Sequence, residues 1–479
     1  MDVKDRLQKR VNKGTSFTNS QAEALKLLKQ WYNDPKQLTF TLSGAAGTGK
    51  TFLIKYFLNN IVHYSVAVTG PTHKAVRVVE KMTGRRGETL QSLHGLRPNF
   101  NLETFNIDNV KFDTIGATKM QNYKLVVIDE CSQIPTSLQK LNEVRGQQFS
   151  TKILYIGDKL QLPPVNQSQS GTFNLNGYEL REIVRQEDSN PLLAMFNVLR
   201  EDVEKGTSKF IRYINETPSS VNGLDEGYLI YKELEGFKDK VSSYFTSDLF
   251  QNNVDYCRYS AWTNKSILEW NRFIRSQVVS DNSSILSIDD LLTGYKTIVD
   301  EFNNPLIYNS EDYIISELYP RVSDYGFDSY NTILRAINGG KETSVSIVDN
   351  TSKNFIYYYR ELDKLHRNAL YAAPAEKGKR WRQYYDFKDT HLVLTKFPLY
   401  ESKDNIRAWV NKDIDYGYGL TTHKLQGSTI DNIFVNIIDM SYYGGDKRYP
   451  FKKKHQIDLR NKLIYTALSR ASKKAIMLI

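Results

Sequence analysis

The stretch LTFTLSGAAGTGKTFLIKYFLNN (38–60) decides the fold. LTFTL is a β-rich run, GAAGTGKT (44–51) matches G-x-x-x-x-G-K-[ST], and FLIKYFLNN has helical spacing. Strand, glycine-rich loop and helix in that order are the context in which this motif holds phosphates. Its glycines let backbone N–H groups turn inward around phosphate oxygens, and the helix N-terminus adds its positive dipole end. Gly44, Ala45, Ala46, Gly47, Thr48, Gly49, Lys50 and Thr51 are therefore the candidate nucleotide cradle. Lys50 can reach the β- and γ-phosphates, and Thr51 can offer a hydroxyl to Mg²⁺.

Working outward, YKLVVIDECSQI (123–134) supplies the carboxylates that such a site needs. LVVI reads as a buried parallel strand, with Asp129 and Glu130 at its C-terminal end, where open α/β sheets bind ligands. Asp129 is the candidate metal carboxylate, and Glu130 the candidate base that orients and deprotonates a water. KILYIGDKLQLPPV (152–165) is a third strand followed by Gln161, an amide placed to sense a γ-phosphate, and by a diproline that stiffens its loop. Upstream, FTNSQAEALKLLKQW (17–31) has the apolar spacing of an amphipathic helix. Gln21 there is either the partner in a capping box or a reader of the adenine edge.

Composition limits the partners. The net charge is +10 with a pI near 9.1, which suits a polyanion, and 31 tyrosines offer faces that stack on unpaired bases. No apolar run approaches the ~18 residues of a membrane span. The charged start MDVKDRLQKR lacks the apolar core of a secretory signal. Cys131 and Cys257 are too few for a disulfide framework and fit a reducing cytoplasm, the host's if the chain is viral.

Eight segments in order, FTNSQ, GAAGTGKT, TGPTHKA, VVIDE, GDKLQLPPV, LREIVRQ, LTTHKLQGST and YTALSRA, span residues 17 to 471. This series resembles a superfamily 1 helicase of the RecD-like, 5′-to-3′ branch (superfamily 1B), and within it the phage Dda-type helicases. The resemblance implies two RecA-like parallel-sheet α/β cores in tandem, with a β-hairpin pin insert and a small SH3-like β-barrel insert. The first core runs over 1–182, with the pin at about 97–122. The second core is split into 183–284 and 401–479, and the insert domain occupies 285–400. Phe100 and Phe105 are candidates for the pin's apolar tip.

The same resemblance assigns roles that spacing does not. Thr69, Pro71, Thr72, His73 and Lys74 of TGPTHKA would line single-stranded DNA, as would Thr89 and Ser92 of TLQSLHGL. The family's histidine position in that second motif is Gln91 here, so His94 does not match it. Asn264 would lie near the strand and Asn271 near the core of the second domain. In LTTHKLQGST, Thr421, Thr422, His423, Lys424 and Ser428 would face DNA, while Gly427 would approach the nucleotide. Arg185 and Arg470 would be arginine fingers, their planar permanent charge matching that of a transferring phosphoryl group.

The reading is an ATP- and Mg²⁺-dependent DNA helicase that acts as a monomer on single-stranded and forked DNA. A single-strand-binding or replisome protein is a further candidate partner. GAAGTGKT and VVIDE alone also allow a phosphate-loop ATPase that remodels a partner other than nucleic acid. The segment NFIYYYRELDKLHRNALYAA (354–373) looks helical, and KGKRWRQYYDF (377–387) interleaves basic and aromatic residues. That composition suits either single strands or an arm packed by its own aromatics.

Overall fold

The computed structural model describes residues 17–98, 112–114, 116–164, 170–182, 190–280, 283–300, 304–402, 405–441 and 454–479. Phe100, Phe105 and Arg185 lie outside them.

The first sheet has six strands, all parallel. Their order is Gly87–Thr89, Val66–Gly70, Leu125–Ile128, Lys152–Gly157, Thr39–Gly44 and Gly177–Leu180. The central strand LVVI is buried at every position, as expected where helices cover both faces of a parallel sheet. One face packs the Asn19–Asn33 and Lys50–Asn60 helices through Leu28, Trp31, Ile54 and Phe57. The other face is covered through Leu90, Leu93, Ile134 and Met120.

The second sheet repeats this plan. Its order is Gly419–Thr421, Cys257–Ala261, Ile430–Asn436, Ala471–Leu478, Gly227–Tyr231 and Ser220–Val221, parallel except for the last pair. Chain segments from both sides of residues 285–400 build it, so the intervening residues form an excursion from one sheet. Asn271 fastens the two sides together. Its Nδ2 donates to the Tyr416 and Gly419 carbonyls at 2.9 and 3.2 Å, and its Oδ1 accepts the Gly419 N–H at 2.6 Å.

The excursion contains a third, largely antiparallel six-stranded sheet. Its long hairpin is Asp312–Val322 against Asp328–Ala336, and its last strand is Ile414–Tyr416, so the excursion runs on past the boundary expected at residue 400, because that strand is needed to complete the third sheet. Two helices, Phe355–Leu370 and Pro374–Thr390, pack beside it. The basic-aromatic run 377–387 lies in the second helix, and its aromatics are spent on packing: Trp381, Tyr384 and Phe387 are buried against Tyr358 and Leu362. Strands Leu96–Pro98 and Phe112–Thr114 pair as an antiparallel ribbon within the segment expected to form the pin. No helix among the described residues is long and apolar enough to cross a membrane.

Candidate active site and nucleic-acid interface

The phosphate loop leaves the Thr39–Gly44 strand and enters the Lys50–Asn60 helix. Gly47 and Gly49 have φ of 85° and 76°, the left-handed region that favours glycine. A Cβ on Gly44 would sit 2.7 Å from Thr48 Oγ1 and 2.9 Å from the Leu180 carbonyl, so only glycine fits there. Thr48 is wholly buried, and its hydroxyl donates to the Ala45 carbonyl at 2.9 Å. Lys50 Nζ donates to the Gly44 and Ala45 carbonyls at 2.5 and 2.9 Å, so its ammonium lies within the loop's curve. Thr51 is exposed on the first turn of the helix. These features fit a polyphosphate: a glycine-rich turn leading into a helix N-terminus, with a lysine ammonium beside it.

Gln21 takes the capping-box role. Its Oε1 accepts the Thr18 N–H at 3.3 Å while the Thr18 hydroxyl accepts the Gln21 N–H. Its Nε2 donates to the Thr48 carbonyl at 3.2 Å, so the same amide braces the phosphate loop.

Asp129 and Glu130 follow the LVVI strand. Glu130 has φ of 51°, in the left-handed region and unusual for a residue with a side chain. Burial, and then the Glu130 carboxylate, push the Asp129 pKa up to about 7 against the pull of Lys50 and Arg470. A bound divalent cation would favour the ionised form strongly, so the carboxylate is suited to hold one.

Arg470 arrives from the second sheet, at the turn between the Lys454–Leu468 helix and the Ala471–Leu478 strand. It is 6% exposed, and its Nη1 lies 3.6 Å from Glu130 Oε1. With the Gln161 amide oriented to satisfy both neighbours, its nitrogen donates to Glu130 Oε2 at 3.3 Å. Its oxygen accepts from Arg470 Nη2 at 2.8 Å. Among the described residues Arg470 Nε is buried without a hydrogen-bonding partner, a donor that a phosphoryl oxygen would satisfy. Lys50, Asp129, Glu130, Gln161 and Arg470 thus share one cleft between the two parallel sheets.

The TGPTHKA and LTTHKLQGST loops meet beside this cleft. Gly427, with φ of 78°, would place a Cβ 3.6 Å from Ala75. Thr69 is fully buried and its hydroxyl donates to the Val127 carbonyl, while Thr72 caps the His73–Thr83 helix. Pro71 is half-buried beside that cap. Thr422 is fully buried and shares a hydrogen bond with Ser260; Thr421 is half-buried at the N-cap of the short Thr422–Leu425 helix. Ser428 is buried against Arg470, its carbonyl accepting from Nη1 at 3.4 Å, and so lies on the nucleotide side of the loop. Thr89 caps the Leu90–Leu93 helix, and Ser92 is exposed with its hydroxyl on Glu88. Asn264 is exposed at the start of the Asn264–Val278 helix.

His94 is a core residue. Its ring is held between Asn142 and Arg145, at 2.5 and 2.9 Å, and it is wholly buried.

Sequence reasoning missed a third participant, the turn 308–312 at the base of the long hairpin. Tyr308 lies 4.2 Å from the His73 ring, centroid to centroid. Lys74 Nζ is 3.7 Å from Asp312 Oδ2, and Arg77 pairs with Glu311. On the other side Lys424 Nζ donates to Asn309 Oδ1 at 2.8 Å and to the Gly294 carbonyl at 3.2 Å, with the Tyr295 ring 4.1 Å away. Asp312 also accepts from Arg258, which is wholly buried, at 3.1 Å. One acidic turn therefore touches both parallel-sheet units.

Titration follows this packing. Burial, with Arg77 nearby, lowers the His73 pKa to about 4. Burial lowers His423, and burial together with Lys412 lowers Lys424 to about 7. Although burial acts to raise it, Lys74 and Arg258 hold the Asp312 carboxyl below the usual range. The only signal in the sequence for this turn was the Glu311-Asp312 pair, and nothing local says which cations it meets.

Comparison with known proteins supplies the context for this geometry. Residues 17–215 match the family model described as an AAA domain. An ATP-dependent DNA helicase, dda, of Enterobacteria phage T4 is 22% identical, over 95% of this chain and 97% of that protein. The uncharacterized protein R530 of Acanthamoeba polyphaga mimivirus is 24% identical, over 95% and 98%. The ATP-dependent DNA helicase Pif1 of Bdellovibrio bacteriovorus is 24% identical over 44% of this chain and 49% of its own length. Among solved structures, a Bacteroides Pif1 helicase in complex with ADP-AlF3 and single-stranded DNA aligns over 97% of this chain and 92% of its own, with 15% identity and a TM-score of 0.48.

Proposed function

We infer that this chain, which belongs to the Dda- and Pif1-like superfamily 1B DNA helicases, couples Mg-ATP hydrolysis to 5′-to-3′ movement along single-stranded DNA and so unwinds forked duplexes. The observation that carries this reading is the cleft in which Arg470 of the second sheet reaches Glu130 and Gln161 of the first. A γ-phosphate placed there gives the Arg470 guanidinium a partner and favours closure. Hydrolysis removes that partner. Such a ligand drives movement only through its different affinity for the closed and open arrangements.

In this reading Lys50 and the loop N–H groups hold the phosphates, Thr51 and Asp129 hold Mg²⁺, and Glu130 takes a proton from the attacking water. Arg470 and Arg185 stabilise charge on the transferring phosphoryl group. Residues 1–182 form the first core, 183–284 with about 417–479 the second, and the stretch between, about 285–416, the insert domain. The TGPTHKA and LTTHKLQGST loops, which meet where Gly427 lies against Ala75, grip the strand in alternation as the cleft closes and opens. Phe100 or Phe105 forms the tip of the pin that splits the fork. The unit of action is the monomer, and a single-strand-binding or replisome protein is its candidate protein partner.

The test uses forked substrates with a 5′ or a 3′ single-stranded tail, in DNA and in RNA, with ATP and Mg²⁺. Unwinding of the 5′-tailed DNA fork is expected. Preference for the 3′ tail would reverse the polarity, and ATP hydrolysis that ignores every oligonucleotide would favour an ATPase acting on another partner.

A further inference from the structure

The second parallel-sheet unit touches the phosphate loop through one side chain that no motif role covers. Tyr465 lies on the Lys454–Leu468 helix and is 1% exposed. Its hydroxyl donates to Asp158 Oδ2 at 2.7 Å and accepts the Ala46 N–H at 3.4 Å. Asp158, itself 2% exposed, also accepts the Leu160 N–H through Oδ1 at 3.0 Å. One phenol therefore joins the last helix, the phosphate loop and the loop that carries Gln161.

The neighbours form a clasp around that loop. The Thr466 hydroxyl accepts the Leu162 N–H at 3.0 Å, and Gln426 Nε2 donates to the Leu162 carbonyl at 3.3 Å. The Tyr465 and Thr466 bonds fasten the helix to residues 158–162, and Gln426 adds a second hold from the LTTHKLQGST loop. Among the described residues, the Tyr465 hydroxyl is what extends the clasp to a loop amide.

We propose that Tyr465 is a positioning residue for nucleotide turnover: its hydroxyl couples the place of the Lys454–Leu468 helix to the Ala46 amide of the phosphate loop. This rests on the reading of the cleft as an ATP-hydrolysing site. The chemistry is a competition. An amide N–H has one hydrogen, and a phosphate oxygen is a stronger acceptor than a neutral phenol. The Ala46 bond is the longer of the two, near the limit of hydrogen bonding, so it is the one that yields. The Asp158 bond stays, because a buried carboxylate left without its donor is costly. A nucleotide whose terminal phosphate reaches Ala46 thus changes what holds the helix to the loop. By linkage, the helix position changes the affinity for that phosphate by the same factor. Helix and Arg470 are contiguous in the chain, so the same displacement moves the guanidinium.

The experiment uses the full chain with Tyr465→Phe, which keeps the ring in the core and removes one oxygen. Three quantities are read beside wild type: kcat and KM for DNA-stimulated ATP hydrolysis, the thermal midpoint without nucleotide, and the ratio of dissociation constants for ADP and a non-hydrolysable ATP analogue. The expected result is a kcat lowered about tenfold and an affinity ratio shifted about fivefold or more, the scale of one buried hydrogen bond. A purely structural role lowers the midpoint and leaves the ratio at its wild-type value, which overturns the proposal, as does an unchanged kcat with an unchanged ratio. If the single variant does not fold, Asp158→Asn/Tyr465→Phe removes the stranded charge, and the same shift in ratio is expected. The ratio needs no turnover, so a wild-type protein without ATPase activity would defeat the hydrolysis reading while the ratio still judges Tyr465.

Discussion

At the scale of single residues, the cleft works by charge placed before the ligand arrives. Lys50 is folded back onto the carbonyls of its own loop, so removing it takes away the only side-chain cation centred there among the described residues. Lys50→Ala is expected to abolish DNA-stimulated ATP hydrolysis while retaining DNA binding, read by phosphate release and by fluorescence anisotropy. Arg470 reaches Glu130 and Gln161 across the cleft, where a water would be activated, so it should matter more to turnover than to binding. Arg470→Ala should lower kcat by about 10³-fold, the usual worth of an arginine finger, with nucleotide affinity changed far less. Lys424 offers a proton-linked signature. With a pKa near 7 it is mostly neutral at pH 8, and a DNA phosphate beside it would raise that pKa. Strand binding at pH 8 should therefore take up a proton, visible as a binding enthalpy that varies with the ionisation heat of the buffer. Lys424→Met should remove that dependence.

At the scale of elements, the turn 308–312 is the unexpected connector. Its two carboxylates differ in what they hold. Asp312 balances Arg258, which is wholly buried, together with Lys74; Asp312→Asn should cost about 3 kcal/mol or more in denaturant unfolding, because it strands a buried cation. That stabilisation is present above the unfolded carboxyl pKa. It is lost as pH falls through the lowered folded value. Glu311 pairs with the partly exposed Arg77, so Glu311→Gln should change stability much less. It should instead raise affinity for single-stranded DNA several-fold, because the Glu311 carboxylate and a DNA phosphate would compete for the same guanidinium. Unchanged anisotropy titrations would remove the turn from the strand interface. The helices Phe355–Leu370 and Pro374–Thr390 make the opposite point. The basic-aromatic run 377–387 in the second of them also suits a nucleic-acid arm by composition, yet Trp381, Tyr384 and Phe387 are consumed by packing.

At the scale of the whole molecule, a net charge of +10 and two loops meeting at Ala75 and Gly427 favour backbone tracking of a polyanion. Affinity for single-stranded DNA should fall linearly on a log–log plot against salt as counterions are released, and a flat response would count against the strand track. The phosphate loop, the LVVI strand with its two acids and the capping-box helix were legible in the chain, because each is a local pattern whose physics is complete within about twenty residues: glycine torsions, strand burial and helix caps. So was the order of motifs that implies two α/β units. What the tertiary structure alone decided is which distant groups meet. Asp158 and Tyr465, Asp312 with Lys74 and Arg258, and Gln21 with Thr48 are partners only because sheets and helices set them side by side. A tyrosine, an aspartate or a glutamine has the same local signature whether it faces solvent, a core or a cleft. Burial and opposing charge, which fold topology sets, turn it into a brace, a latch or a relay.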